Sequence, residues 1–240
     1  MIKQLTRYFL AGLVLLQIGD VHAMFRDDPW LTKVMSEFEV LEEDGEDVIE
    51  WDIDAWTGRD LSKFWVKSSG EYADSEFESA NIELVYSHAV SAYWDQQFGI
   101  RHDFKPDPEG DARQWVSYGF IGTAPYFIEV DARIFVGTES SSQLLIELER
   151  EMMLTQNWVL TPEIDIVANG RTNERFGEGS GLAEVEFSLR LGYEHDGNRK
   201  FQPFVGITSY RKFGSSKRLA QSVGESSSKT ELMLGIHSWF

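Results

Sequence analysis

The 240-residue chain has no cysteine, so no disulfide staples it. Its stability has to come from a large core or from a sheet that closes on itself. Cations are scarce: 22 Lys and Arg stand against 40 Asp and Glu, a net charge of −18. That balance argues against a nucleic-acid partner, whose phosphates would be repelled, and favours cationic partners such as metal ions. Long apolar runs are missing too. The stretch from Tyr8 to Ile18 is too short to span a bilayer and breaks at Gly19-Asp20. No later segment approaches the roughly 20 apolar residues that a membrane helix needs. Phosphate-cradling glycine loops are also absent, since Gly177-Glu178-Gly179-Ser180-Gly181 reads as a loop hinge between two strands. No motif pairs an inward Ser with a His and a carboxylate, so a barrel lipase has little support and the chain is read as non-enzymatic.

What is present starts with the two ends. Lys3 and Arg7 precede the short apolar run, and Val21-His22-Ala23 follows it as a small-residue cleavage site. This predicts a secretory signal peptide over 1–23. Its removal takes away Lys3, Arg7 and Asp20, moving the net charge from −18 to −19. At the other end, Leu232, Leu234, Ile236, Ser238 and Phe240 share one strand face, and Glu231, Met233, Gly235, His237 and Trp239 share the other. A period-two strand closing on an aromatic residue points to the cell outer membrane, where strands turn apolar side chains to outer-membrane lipid and polar ones to a lumen. Trp51, Trp65, Tyr93, Trp94, Tyr126, Trp158, Tyr193 and Trp239 fall at strand ends, as interfacial girdles require.

The expected fold is all-β: an antiparallel up-and-down transmembrane β-barrel of about 12 strands over 34–240, after a short periplasmic lead-in at 24–33. Strands are predicted at 34–41, 48–57, 62–71, 79–88, 92–104, 113–122, 126–136, 143–153, 157–167, 182–194, 201–211 and 230–240. Ten strands is the fallback, because Ser36, Phe38 and Val40 make only a brief first stripe. Tight links at 57–61, 89–91, 123–125, 154–156 and 195–200 alternate with long polar ones at 72–78, 105–112, 137–142, 168–181 and 212–229. Short periplasmic turns and longer external loops alternate in this way. The acidic run Glu42 to Asp47 is expected to be the first external loop.

Strict alternation lets parity sort residues between lipid and lumen. One parity collects sets such as Ile82/Leu84/Tyr86 and Ile128/Val130/Ala132/Ile134. The other collects fourteen acidic and five basic strand residues, among them Asp52, Asp54, Lys67, Glu83, Asp131, Arg133, Glu163, Asp165 and Arg190. Arg101, Arg133 and Arg190 are expected to pair with carboxylates on neighbouring strands. Five cations cannot neutralise fourteen carboxylates, so the remainder must take up protons, sit at wet rims or hold bound cations. Glu147, Glu149 and Glu151, in a row on one strand, are the sharpest case. Soft ligands are few. His237 and Met233 point inward on the same strand, but about 13 Å separates their Cα atoms, so a shared ion would need ligands from other strands, such as Met153. His88 and His102 share parity with apolar residues, and His195 falls in a turn.

Several ordered stretches resemble the copper resistance protein B family of outer-membrane proteins. They include Trp51-Asp52-Ile53-Asp54-Ala55-Trp56-Thr57-Gly58, Lys63-Phe64-Trp65-Val66-Lys67, Tyr86-Ser87-His88-Ala89-Val90-Ser91-Ala92-Tyr93-Trp94-Asp95 and Gly99-Ile100-Arg101-His102-Asp103-Phe104. Others are Gly122-Thr123-Ala124-Pro125-Tyr126, Arg211-Lys212-Phe213-Gly214 and Trp239-Phe240. The resemblance implies a barrel serving copper tolerance, with copper as the bound metal and a periplasmic copper-handling protein as a partner. Family members often carry a Met- and His-rich N-terminal segment, suited to copper. Residues 24–50 here hold only Met24 and Met35 and no His, so ligands from that segment cannot be carried over. The rival reading is a cation-attracting channel or structural barrel without specific copper binding.

Overall fold

Strands that alternate apolar and polar residues must bury one face and dispose of two sheet edges, and closure into a ring does both. The computed structural model describes residues 28–43, 46–73, 76–104, 112–195 and 199–240. The expected signal peptide, most of the lead-in and most of the link at 105–112 lie outside the described residues. Among the described residues thirteen strands occur: β1 Leu31–Glu43, β2 Glu46–Arg59, β3 Ser62–Ala73, β4 Glu76–Ser91, β5 Trp94–Phe104, β6 Arg113–Ala124, β7 Ile128–Gly137, β8 Ser142–Glu149, β9 Met152–Met153, β10 Trp158–Asn169, β11 Gly181–Tyr193, β12 Phe201–Lys212 and β13 Ser228–Trp239.

Apart from β8 and β9, which both pair with β10 as one interrupted strand, each strand pairs antiparallel with the next. The ring closes where β1 meets β13, from Met35↔Trp239 to Leu41↔Met233. The result is a closed barrel of twelve strands, so the ten-stranded fallback falls away. β1 runs for 13 residues despite its brief apolar stripe, because its ladder partners β2 and β13 fix it along most of its length.

Three local departures have clear causes. The predicted strand 143–153 breaks at Arg150–Glu151 opposite Pro162 of β10. Arg150 still donates its N–H to Pro162 O at 3.2 Å, but proline has no N–H to return. The acidic run expected as a loop is strand on both flanks, with Glu42↔Asp47 and Glu43↔Glu46 in the ladder. Polar composition alone does not end a hairpin whose backbone bonds remain satisfied. The polar link at 212–229 contains a helix, α1, Gly214–Val223, closed by Gly224 in the left-handed conformation. Ser216 and Ala220 are its buried residues, and Ser216 Oγ accepts the N–H of Gly179 at 2.9 Å.

Helix α1 and the 170–180 loop sit at the mouth opposite Leu31 and Trp239, here called the far mouth. Arg113 ties this loop down. Its Nη1 is 2.6 Å from Glu178 Oε1, and its guanidinium stacks between Phe176 and Trp115, 4.2 and 4.9 Å from the ring centroids. At the near mouth the turns are tight. The β6–β7 turn crosses in three residues between the paired Ala124 and Ile128, with Tyr126 and Phe127 at positive φ, 69° and 58°.

Parity holds over most of the wall, interrupted at the register shifts near Glu71, Ala89 and Val167. Outward residues such as Ile100, Val116 and Leu234 are about 60% exposed, while inward Phe135, Gln97 and Val159 are buried. Inward Trp115 lies across Gly137, its cross-strand partner, where any Cβ would strike the indole. Gly137→Val is therefore expected to displace the ring and its bond to Asp103 Oδ2 (2.7 Å), costing about 1–3 kcal/mol as an overpacking change. Urea unfolding of the refolded barrel checks this, and an unchanged midpoint would mean that the indole repacks freely.

Candidate functional site

Buried charge persists only when paired and hydrogen-bonded, and the lumen is organised around that requirement. It encloses a cavity of about 590 Å³. Two clusters of ion pairs cross it. In the first, Lys67 of β3 lies 3.2 Å from both Asp54 of β2 and Asp131 of β7. Arg133 of β7 donates Nε to Asp131 at 2.8 Å and Nη1 to Glu83 of β4 at 2.5 Å. Glu83 also accepts the Ser117 hydroxyl at 2.5 Å. In the second, Arg190 of β11 reaches Glu149 of β8 at 2.5 Å and Glu163 of β10 at 2.7 Å through Nη2. Its Nη1 bonds Glu37 of β1 and lies 3.8 Å from Glu39. His237 Nδ1 is 3.1 Å from the other Glu37 oxygen.

The expectation that these arginines pair with neighbouring strands holds for Arg190 and Glu163. The more consequential contacts are transverse. Arg133 reaches β4 past β5 and β6, and Arg190 reaches β1 past β12 and β13. Arg101 instead pairs with Asp103 on its own strand, at 2.5 Å. Twelve carboxylates line the large cavity against four Lys and Arg side chains, so the site keeps the acidic excess that parity predicts.

The candidate ligands separate into groups. His237 and Met233 both face the large cavity, together with Glu147 and Glu149. Met233 is buried and packs its Sδ over Gly206. Glu151 lines a second, smaller cavity of about 30 Å³, with Glu149 and His237 in the same wall. Met153 stands apart: it is 52% exposed at the near rim, with its sulfur 2.9 Å from Arg199 Nη2. Among the described residues, no three His, Cys, Asp or Glu converge in an arrangement that would hold a metal ion. The donors lining the large cavity are one imidazole, the two thioethers of Met35 and Met233, and many carboxylates, which suits attraction of cations better than a preformed soft-metal cage.

Sequence reasoning missed Glu37, Glu39 and Glu50, all of which line the large cavity. A signal existed, since Glu37 and Glu39 alternate with Phe38 and Val40. It was obscured by the shortness of that stripe. The outward histidines follow parity: His88 Nδ1 is 3.1 Å from Ser62 Oγ, and His102 stands edge-on to Phe104 at 4.4 Å between ring centroids.

Comparison with known proteins bears on the ring and on the family. The NanC porin superposes with a TM-score of 0.55 at 9% identity, covering 87% of this chain and 99% of that one, a likeness of fold alone. "Copper resistance protein B" of Escherichia coli is 31% identical over 207 residues, 86% of this chain and 68% of its own length. "Copper resistance protein B homolog" of Pseudomonas syringae pv. tomato is 32% identical over 192 residues, 80% of this chain and 64% of its own length. The chain thus spans about two thirds of the length of these relatives. The family described as "Copper resistance protein B precursor (CopB)" matches residues 31–240, every strand of the barrel included, and the chain belongs to that family.

Proposed function

We propose that this protein is a non-enzymatic outer-membrane barrel that serves copper resistance by drawing copper ions into its acidic lumen and binding them there. The observation that carries this reading is the large cavity, where twelve carboxylates outnumber four cationic side chains and His237 and Met233 share the wall. Such a lumen concentrates cations by its field, and an imidazole and a thioether add preference for copper over hard ions. Glu147, Glu149 and Glu151 extend the acidic wall, and Met153 at the near rim could pass an ion between the lumen and a periplasmic copper-handling protein. The outward apolar belt, with Phe64, Ile100, Val116 and Leu232 more than half exposed, supports placement in lipid. Copper is the cargo here, not a resident cofactor.

Competitive Cu(I) titration of the refolded barrel tests the proposal, with a His237→Ala/Met233→Ala variant alongside. Tight stoichiometric binding that is lost in the variant is expected. Weak, salt-screened binding shared by other cations would instead favour an acidic channel or scaffold. The absence of a converged ligand cluster among the described residues is the observation behind that second reading.

A further inference from the structure

The two cavities are not independent. They share Glu37, Glu149, Arg190 and His237, so this one layer is both the floor of the large chamber and the roof of the small one. Below it, Glu151 leads to the near rim, where it is exposed. Arg190 is the only Lys or Arg lining the smaller cavity among the described residues. Its guanidinium bridges four carboxylates on β1, β8 and β10 and lies 5.7 Å from the centroid of the buried Phe204 ring. The remaining cross-section toward the near mouth is filled by buried side chains including Trp65, Val85, Gln97 and Val159.

We propose that Arg190 is a tethered cation that gates the lumen, holding closed a cation pathway between the large chamber and the near mouth. Its head group occupies the position a permeating ion would take between Glu37, Glu149 and Glu163. A mobile cation passes only by competing for those oxygens. The planar five-donor fork satisfies several carboxylates at once, and arginine stays charged across the accessible pH range. The layer is therefore closed at rest, and acid cannot release it by neutralising the guanidinium. Ions that bind carboxylates strongly can displace the head group, whereas weakly bound ones accumulate above it. This inference rests on the barrel spanning a membrane, but not on copper being its cargo.

Planar-bilayer recordings in potassium chloride, without copper, test the gate on full-length mature barrel. Folding is verified first by heat-shifted gel mobility. Wild type is expected to conduct little, and Arg190→Gln to raise unitary conductance severalfold with a reversal potential favouring K⁺ over Cl⁻. Arg113→Gln, at the far-mouth loop, is expected to conduct like wild type. If Arg190→Gln does not refold, Arg190→Lys keeps the charge but gives up the fork and is expected to conduct at an intermediate level. Folded Arg190 variants that conduct like wild type would overturn the gate, as would anion selectivity. Neither result would touch the copper titration, which stands or fails separately.

Discussion

Arg133→Ala is expected to destabilise the barrel by about 3–5 kcal/mol, the range for removing one partner from a buried ion pair. Arg133 is 6% exposed and Glu83 3% exposed, so the deletion strands Glu83 and Asp131 in a space that water reaches poorly. Lys67 remains beside Asp131 at 3.2 Å, but of the two side chains that donate to Glu83 only the Ser117 hydroxyl is left. The companion double variant Arg133→Met/Glu83→Gln removes both charges and fills the volume. It should recover most of the loss, because a buried pair replaced by well-packed neutral groups is often near neutral. Guanidinium unfolding in micelles reads both. A single-variant loss below about 1 kcal/mol would instead resemble an exposed pair, and would mean that the lumen is wet enough to solvate a free carboxylate.

The second large effect lies on the opposite face. Ile100→Arg is expected to cost about 2–4 kcal/mol in lipid vesicles, the range for a cation near the bilayer midplane of a barrel. Ile100 is seventh of the eleven residues of β5, 60% exposed, and flanked across the ladder by Leu84 and Val116. Its neighbour Arg101 is a lumen residue, so two adjacent positions make the comparison: a guanidinium is native at one and prohibited at the next. Equal stability of the variant and wild type in vesicles would remove the belt from the membrane.

Most of the ring was legible in the sequence because its two rules are local. Period-two alternation marks each strand, and parity carries each charge to one face. All twelve predicted runs correspond to strands, with ends displaced by a few residues where ladders continue into polar segments, as at Glu76 and Glu43. The break after Glu149 was missed because its cause, Pro162, sits on the facing strand and only register aligns the two. Helix α1 was missed because a single ten-residue amphipathic turn amid serines gives little periodicity, although Gly214 and Gly224 bracket it. For the site, parity placed His237, Met233, Glu147 and Glu149 on the lumen side, but it cannot say which charges meet across empty space. Arg190 meeting Glu37 depends on ring diameter and side-chain reach, neither of which is written in any short window.

The seam between β1 and β13 bears on how the protein is made. Glu37 and His237 are 200 residues apart in sequence yet occupy directly opposed ladder positions. Bringing such distant segments together carries the largest loop-closure entropy in the chain and places it among slow, nonlocal topologies. The Glu37–His237–Arg190 layer draws on both strands of the closing seam. It therefore comes into being only as the final ladder is zipped, and an incompletely assembled chain carries neither the layer nor a sealed lumen. Barrel biogenesis and lumen closure are one event, so a mutation slowing the last hairpin would delay both together.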